Sequence, residues 1–174
     1  SGIQYEREDG LYPVFVQPGR KLTVQDVAEG LRNRYQGTPH DPYVNQNPKE
    51  PYRPISVMRA SLSHITQTRP DLPGDIAVVQ YIALGMPDLG VYMPFHKGLA
   101  DLPPAYQGAT GRIDDHSMFW RFRKMQALVL QDYPRLAPTA HRAIAEFEAD
   151  LAAKQAAMED RYLTLWRQDR DAGR

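Results

Sequence analysis

The sequence predicts an α+β fold, with strands and loops over residues 1–113 and a helical hairpin over 114–174. Three observations carry this expectation. Short apolar, β-branched runs, with Ile76-Ala77-Val78-Val79 the clearest, recur between turn-forming Pro, Gly and Asp residues. None of the 15 prolines lies beyond Pro138, so the tail is free of helix breakers. Within that tail Ile144, Phe147, Leu151, Met158, Tyr162 and Leu165 recur at three- and four-residue steps and their multiples.

Taken in order, residues 11–16 are apolar, and Pro13 confines them to an edge strand or extended segment. Thr23 is a suitable N-cap, Asp26 places charge in the first turn, and Val24, Val27 and Leu31 fall at helical spacing. A helix is expected over 24–35, stopped by Gly37. Residues 38–54 hold five prolines and no hydrophobic period, so they read as a long loop. Residues 55–58, 63–68, 75–83 and 89–93 read as strands, with Pro94 ending the last. The short turns between them, at 69–74 and 85–88, imply an antiparallel meander. Residues 99–112 are loop. Asp114 or Asp115 caps a helix that runs to about 132, with Met118, Phe122, Met125 and Val129 as its stripe. Residues 134–138 form the bend into a second helix over 139–168.

Composition removes several functions. The 174 residues carry 21 basic and 21 acidic side chains, so no excess positive charge favours nucleic acid. No apolar run approaches the ~20 residues of a membrane helix. Neither partner is expected. With no cysteine, disulfides and thiolate zinc sites are excluded within the chain. The five histidines (His40, His64, His96, His116 and His141) show no metal-pair spacing. No metal and no cofactor is expected, and phosphate-binding glycine loops and nucleophile elbows are absent.

Individual side chains leave alternatives open. Each histidine reads as a loop or surface residue. His64 departs most from that, because it sits in a strand whose face could be buried. Arg53, Arg59 and Arg69 flank the first strands, where a guanidinium can clamp a substrate carboxylate or form a surface ion pair. Phe119-Trp120-Arg121-Phe122 fits core packing better than base stacking. Ser1 is either an N-terminal nucleophile with its own amine as base, or an arbitrary start.

Several motifs, taken together and in order, carry a family resemblance. Val16-Gln17-Pro18, Val24-Gln25-Asp26-Val27 and Tyr35-Gln36-Gly37-Thr38-Pro39-His40-Asp41 follow one another. Next come Arg53-Pro54-Ile55-Ser56, Ser63-His64-Ile65-Thr66-Gln67 and Arg69-Pro70-Asp71-Leu72-Pro73. Ala83-Leu84-Gly85-Met86-Pro87, Val91-Tyr92-Met93-Pro94-Phe95 and a segment over 115–122 complete the set. This order resembles the dipeptidase family of cysteine N-terminal-nucleophile hydrolases that includes bacterial dipeptidases and the secernins.

The resemblance implies an αββα sandwich and hydrolysis of dipeptides by an N-terminal cysteine whose own amine is the base. That nucleophile lies far upstream of the matching blocks, so the chain is expected to be the C-terminal part of a single dipeptidase domain, inactive alone. Its implied partners are dipeptide substrates and the missing N-terminal half, with self-association through uncovered sheet as a further expectation. Arg59 is the implied catalytic support, orienting the nucleophile and stabilising developing negative charge. Two departures, Ala60 for the family's threonine and Thr68 for an aliphatic residue, flank that segment. His64 and Gln67 match family positions without an assigned role. A non-catalytic, secernin-like interaction module is the alternative reading.

Overall fold

The computed structural model describes residues 15–45, 52–108 and 110–172. Its helices are α1 (Val24–Leu31), α2 (Pro42–Asn45), α3 (Gly74–Ala77), α4 (Met118–Val129) and α5 (Tyr133–Ala172). Its strands are β1 (Leu62–Thr68), β2 (Val78–Leu84) and β3 (Met93–His96). The fold is α+β, and the sheet is the expected antiparallel meander in the order β1-β2-β3.

Local chemistry sets α1. The Thr23 hydroxyl accepts from the Asp26 amide at 3.2 Å, and the Asp26 carboxylate accepts from the Thr23 amide at 2.7 Å. This reciprocal box satisfies two backbone donors at the helix start. The helix ends at Leu31, four residues before the expected limit, with Arg32 as its C-cap and the Arg32 amide closing the last turn on the Ala28 carbonyl. Tyr35 then adopts φ +62, which a continuing helix cannot accommodate.

Other expected boundaries move. Residues 55–58 form turns instead of a strand. Asp75 to Ala77 lie in the one-turn helix α3, so β2 starts at Val78. The segment expected as a strand at 89–93 begins in a 3-10 turn (Pro87–Leu89), and pairing begins only at Met93. Pro94 sits inside β3 opposite Tyr81 instead of ending a strand. An edge strand tolerates proline because its outward N–H needs no ladder partner. Phe15 and Val16 are outside any strand, and the rest of that expected element lies outside the described residues.

The helical hairpin turns earlier than expected. Ser117, not an aspartate, is the N-cap of α4, and the bend is residues 130–132. Pro134 falls in the first turn of α5, where its missing N–H costs nothing. Pro138 lies inside the helix and removes one backbone bond. At 40 residues, α5 is roughly 60 Å long.

The sheet has two unlike faces. On one, Ile65, Val79 and Ala83 are buried, with α1 and α5 against them. On the other, Leu62 and His64 pair with Leu84 and Ile82, and Gln80 and Ile82 pair with Phe95 and Met93. Leu62, His64, Thr66 and Gln80 on that second face are exposed. A second cluster joins Met86 and Leu89 to Val129, Tyr133 and Ala137, fixing the hairpin to the β2–β3 connection.

Gln126 locks this junction. Its fully buried amide donates to the Leu84, Met86 and Leu89 carbonyls at 3.0–3.3 Å and accepts from the Met86 amide at 3.1 Å. Gly85 makes room for it. The residue holds φ +76, and a Cβ there would fall 2.2 Å from the Gln126 side-chain oxygen.

Candidate functional site

The β2–β3 connection, the residues after α1 and the first half of α5 converge on a charged cleft of about 390 Å³. Asp88, from the 3-10 turn, lies at its base and is 7% exposed. Its carboxylate accepts from Arg34 Nε at 3.2 Å, from His141 Nε2 at 3.0 Å, and from the Tyr133 hydroxyl. Arg34 also pairs with the buried Asp41. Beside them Arg32 donates to Glu148 at 2.6 Å and to the Gly90 carbonyl at 2.9 Å. Glu148 additionally accepts from the Tyr92 amide at 2.8 Å.

Protonation states follow from these contacts. Burial pushes the Asp88 carboxyl up, but hydrogen bonds from His141 and Tyr133, with the Arg34 charge, outweigh it and hold the group below the usual carboxylate range. The Tyr133 phenol is raised, first by burial and then by its bond to the Asp88 carboxylate. The set is therefore a carboxylate held ionised beneath a histidine and an arginine, open to a cleft. Buried titratable groups of this kind mark functional positions as well as structural ones.

A second network pins the far side of the sheet. Arg69 donates to both oxygens of Glu159, at 2.6 and 2.9 Å, while His96 and Gln155 bond the same carboxylate at 2.7 and 2.9 Å. Burial raises Glu159, yet these three partners bring it down to about 2. Arg69 thus clamps a carboxylate bidentately, but the carboxylate belongs to α5. The clamp is neither a substrate contact nor a bare surface pair.

The other expected residues fall elsewhere. Arg59 is exposed in the turn before β1, and its side chain has no ion pair or hydrogen bond among the described residues. Arg53 is exposed too, its carbonyl accepting from the Tyr35 hydroxyl at 3.4 Å. His64 is exposed on the face of the sheet opposite α1, so a buried setting for it is corrected: the strand parity that buries Ile65 turns His64 outward. A surface or loop assignment is corrected for His96 and His141, which pair with Glu159 and Asp88. Trp120 donates to the Thr110 carbonyl and packs edge-on against Phe119; Phe119, Trp120 and Phe122 are half-buried and lie outside both buried clusters. Ser1 lies outside the described residues. Among the described residues no group of three or more His, Cys, Asp or Glu is placed to hold a metal, and no helix is long and apolar enough to cross a membrane.

Glu148 and Glu159 carry one signal in the sequence, spacing: with Gln155 they interrupt the apolar stripe of α5 on the side that faces the sheet, whereas Asp88, in the 3-10 turn, carries none.

The sequence model of peptidase family C69 matches residues 2–146. The chain belongs to that family. A probable dipeptidase of Salmonella dublin is 52% identical over 102 residues, covering 58% of this chain and 24% of that protein. Probable dipeptidase B of Lactococcus lactis is 34% identical over 111 residues, covering 62% of this chain and 23% of that protein. Dipeptidase A of Lactobacillus helveticus is 32% identical over 111 residues, covering 62% and 23%. In each case this C69 chain spans about a quarter of the curated relative it matches. Within the matched range lie Arg59, both arginines of the cleft, Asp88 and His141.

Proposed function

We propose that this chain is the C-terminal part of a dipeptidase domain whose nucleophile is an N-terminal cysteine outside the chain. Membership of peptidase family C69 carries the reading, and the relatives named as dipeptidases direct it to dipeptides. The sheet supports it. Leu62, Ile82, Leu84, Met93 and Phe95 share the face opposite α1; Leu62 is exposed and the others are half-buried, with Tyr106 and Phe119 beside them, a partly covered apolar face of the kind that one inner sheet of an αββα sandwich would present to the other.

The chemistry follows from the nucleophile. The cysteine sulfur attacks the dipeptide carbonyl carbon while its α-amine takes the thiol proton. Collapse of the tetrahedral adduct breaks the C–N bond, and that proton passes to the leaving amine. Water, deprotonated by the same amine, then cleaves the thioester and restores the thiol. Arg59 suits a supporting role because its guanidinium is exposed and uncommitted among the described residues, three positions before β1. It orients the nucleophile and stabilises charge that develops on the carbonyl oxygen.

The test compares this chain with the longer protein that contains it, using Gly-Leu as substrate. The chain alone is expected to be inert. The longer protein is expected to turn over and to lose activity on alkylation by iodoacetamide. Arg59→Ala in the longer protein should lower kcat by about 10²-fold, with partial rescue by Arg59→Lys. Turnover that survives complete alkylation would rule out the cysteine mechanism. A longer protein without a cysteine at its mature N-terminus would favour the non-catalytic alternative.

A further inference from the structure

We propose that the pocket between α1, the sheet and the middle of α5 binds a small neutral molecule built on one aromatic ring. The inference stands on that pocket alone and goes beyond the hydrolytic reading without resting on it.

Three observations support it. First, the space is apolar inside and polar at its mouth. Val24 and Ala28 of α1, Tyr81 of β2, the Tyr92-Met93-Pro94 segment through Tyr92 and Pro94, and Leu151 of α5 line about 180 Å³. Gln25 and Ala152 complete the lining with Glu148 and Gln155; both are exposed, which puts them at the opening. Water held inside would find few polar partners, so an apolar group is the better occupant.

Second, the size and the walls select the ligand. Apolar cavities of about 150 Å³ stay dry and take up benzene, so this volume matches one ring with a short substituent. Two walls are tyrosine rings, against which an aromatic occupant packs offset or edge-on. Among the described lining residues the one charged side chain is Glu148, and Arg32 already neutralises it at 2.6 Å. An anion is therefore repelled, a cation gains little, and a neutral ligand fits.

Third, polar tethers hold the space open. Glu148 accepts from Arg32 at 2.6 Å and from the Tyr92 amide at 2.8 Å, and Gln155 donates to the Tyr81 hydroxyl at 3.1 Å. These bonds set the distance of α5 from α1 and from the sheet, and the short side chains Ala28 and Ala152 do not bridge it. The walls close only if charge-assisted bonds break. The pocket is thus preformed, and filling it adds contacts at small ordering cost. An occupant touches α1, the sheet and α5 together, so it braces them and raises the Tm of the chain by mass action.

The experiment titrates the full chain with benzyl alcohol and with benzoate, following methyl chemical shifts and Tm. Benzyl alcohol at millimolar concentration is expected to raise Tm and to move the Val24, Ala28 and Leu151 methyl resonances by its ring current. Benzoate should bind at least about tenfold more weakly, its charge having to leave water beside Glu148. Nuclear Overhauser contacts from the benzyl alcohol ring to the Val24 and Leu151 methyls locate the ligand in the parent chain, without any variant. Ala152→Leu, at an exposed helical position, adds bulk at the mouth without loss of helix propensity and should weaken benzyl alcohol by at least about tenfold. Ala153→Leu, exposed and outside the lining, adds the same apolar surface and should leave binding unchanged. Circular dichroism checks that each variant is folded. No methyl shift in the folded parent chain, equal binding of benzoate, or the same affinity in Ala152→Leu and Ala153→Leu would overturn the proposal.

Discussion

Arg69, just beyond the last residue of β1, donates both terminal nitrogens to the carboxylate of Glu159, ninety residues further along the chain. The pair ties the sheet edge to the distal half of α5, where few apolar contacts are available: Phe147, Met158 and Leu165 are all more than 40% exposed. Glu159→Ala strands Arg69, His96 and Gln155 at once. Loss of one partner from a buried pair costs about 3–5 kcal/mol, less where water reaches the charges. A loss of about 2–3 kcal/mol is expected in urea unfolding, with amide exchange rising first in the α5 segment beyond Leu151.

The same carboxylate sets an acid limit. Glu159 sits at about 2 in the fold against an ordinary value of 4.5. A depressed acid contributes stability above its unfolded value, and that contribution is lost as pH falls through 4.5 toward 2. Unfolding free energy should therefore drop across this window. In Glu159→Gln the drop should be shallower, which a urea midpoint series from pH 6 to pH 2 measures.

Tyr133 and Asp88 make a second acid-sensitive contact. Tyr133→Phe keeps the ring in its cluster with Met86 and Leu89 but removes one donor from a buried carboxylate. The expected cost is about 1–3 kcal/mol at neutral pH. With one stabilising bond gone, Asp88 moves back toward its ordinary value in the fold, so less of its stability is lost on acidification and the fall of unfolding free energy with pH should be shallower than in the parent chain. Urea midpoints of both chains from pH 6 to pH 2 read the difference. Parallel pH profiles would mean that the phenol does not hold the charge.

Gly85 and Gln126 should be coupled. Gly85→Ala adds a Cβ onto the Gln126 amide and forces a side chain into φ +76. Backbone strain and overpacking each contribute about 1–3 kcal/mol. Gln126→Ala alone leaves the Leu84, Met86 and Leu89 carbonyls without its donors. The double variant relieves the clash but not the strain, so its loss should fall short of the sum of the singles by at least about 1 kcal/mol. Additive losses would show that the two groups do not meet.

What sequence could read here was local or periodic. The Thr23–Asp26 box lies within three residues, and α1 starts where it predicts. The segment at 63–68 reads as extended through its β-branched Ile65, Thr66 and Thr68, and β1 follows it. The misses share a cause in long-range pairing. Ile76 and Ala77 continue the apolar run of the strand, yet the Arg69 amide donates to the Ala77 carbonyl and its guanidinium to the Ile76 carbonyl, holding them in a turn. Pro94 would end an isolated strand, but the register of Ile82 with Met93 carries β3 through it. The cleft was invisible for the same reason. Arg32 and Glu148 are 116 positions apart, and nothing in either neighbourhood marks the other. The supporting role of Arg59 rests on the family likeness alone. The fold leaves its side chain free, which is compatible with that role and adds no contact to it.

The partly covered face of the sheet, opposite α1, yields the last prediction. Leu62, 53% exposed, stands opposite Leu84, and both border an apolar hollow of about 230 Å³ with Tyr106 and Phe119. Apolar surface left in water favours association by about 25 cal/mol per Å² covered, so in the absence of a covering layer this face should drive self-association of the chain. Leu62→Lys places a charge at the edge of β1 on that face without touching the buried side, where Ile65 packs. Sedimentation velocity over a hundredfold range of concentration should show the parent chain shifting to larger species and the variant remaining a monomer. A chain that is monomeric throughout would separate the apolar face from association. Equal association of both chains would move the contact to the exposed Phe147, Met158 and Leu165 stripe of α5, where a matching Met158→Lys variant would then abolish it.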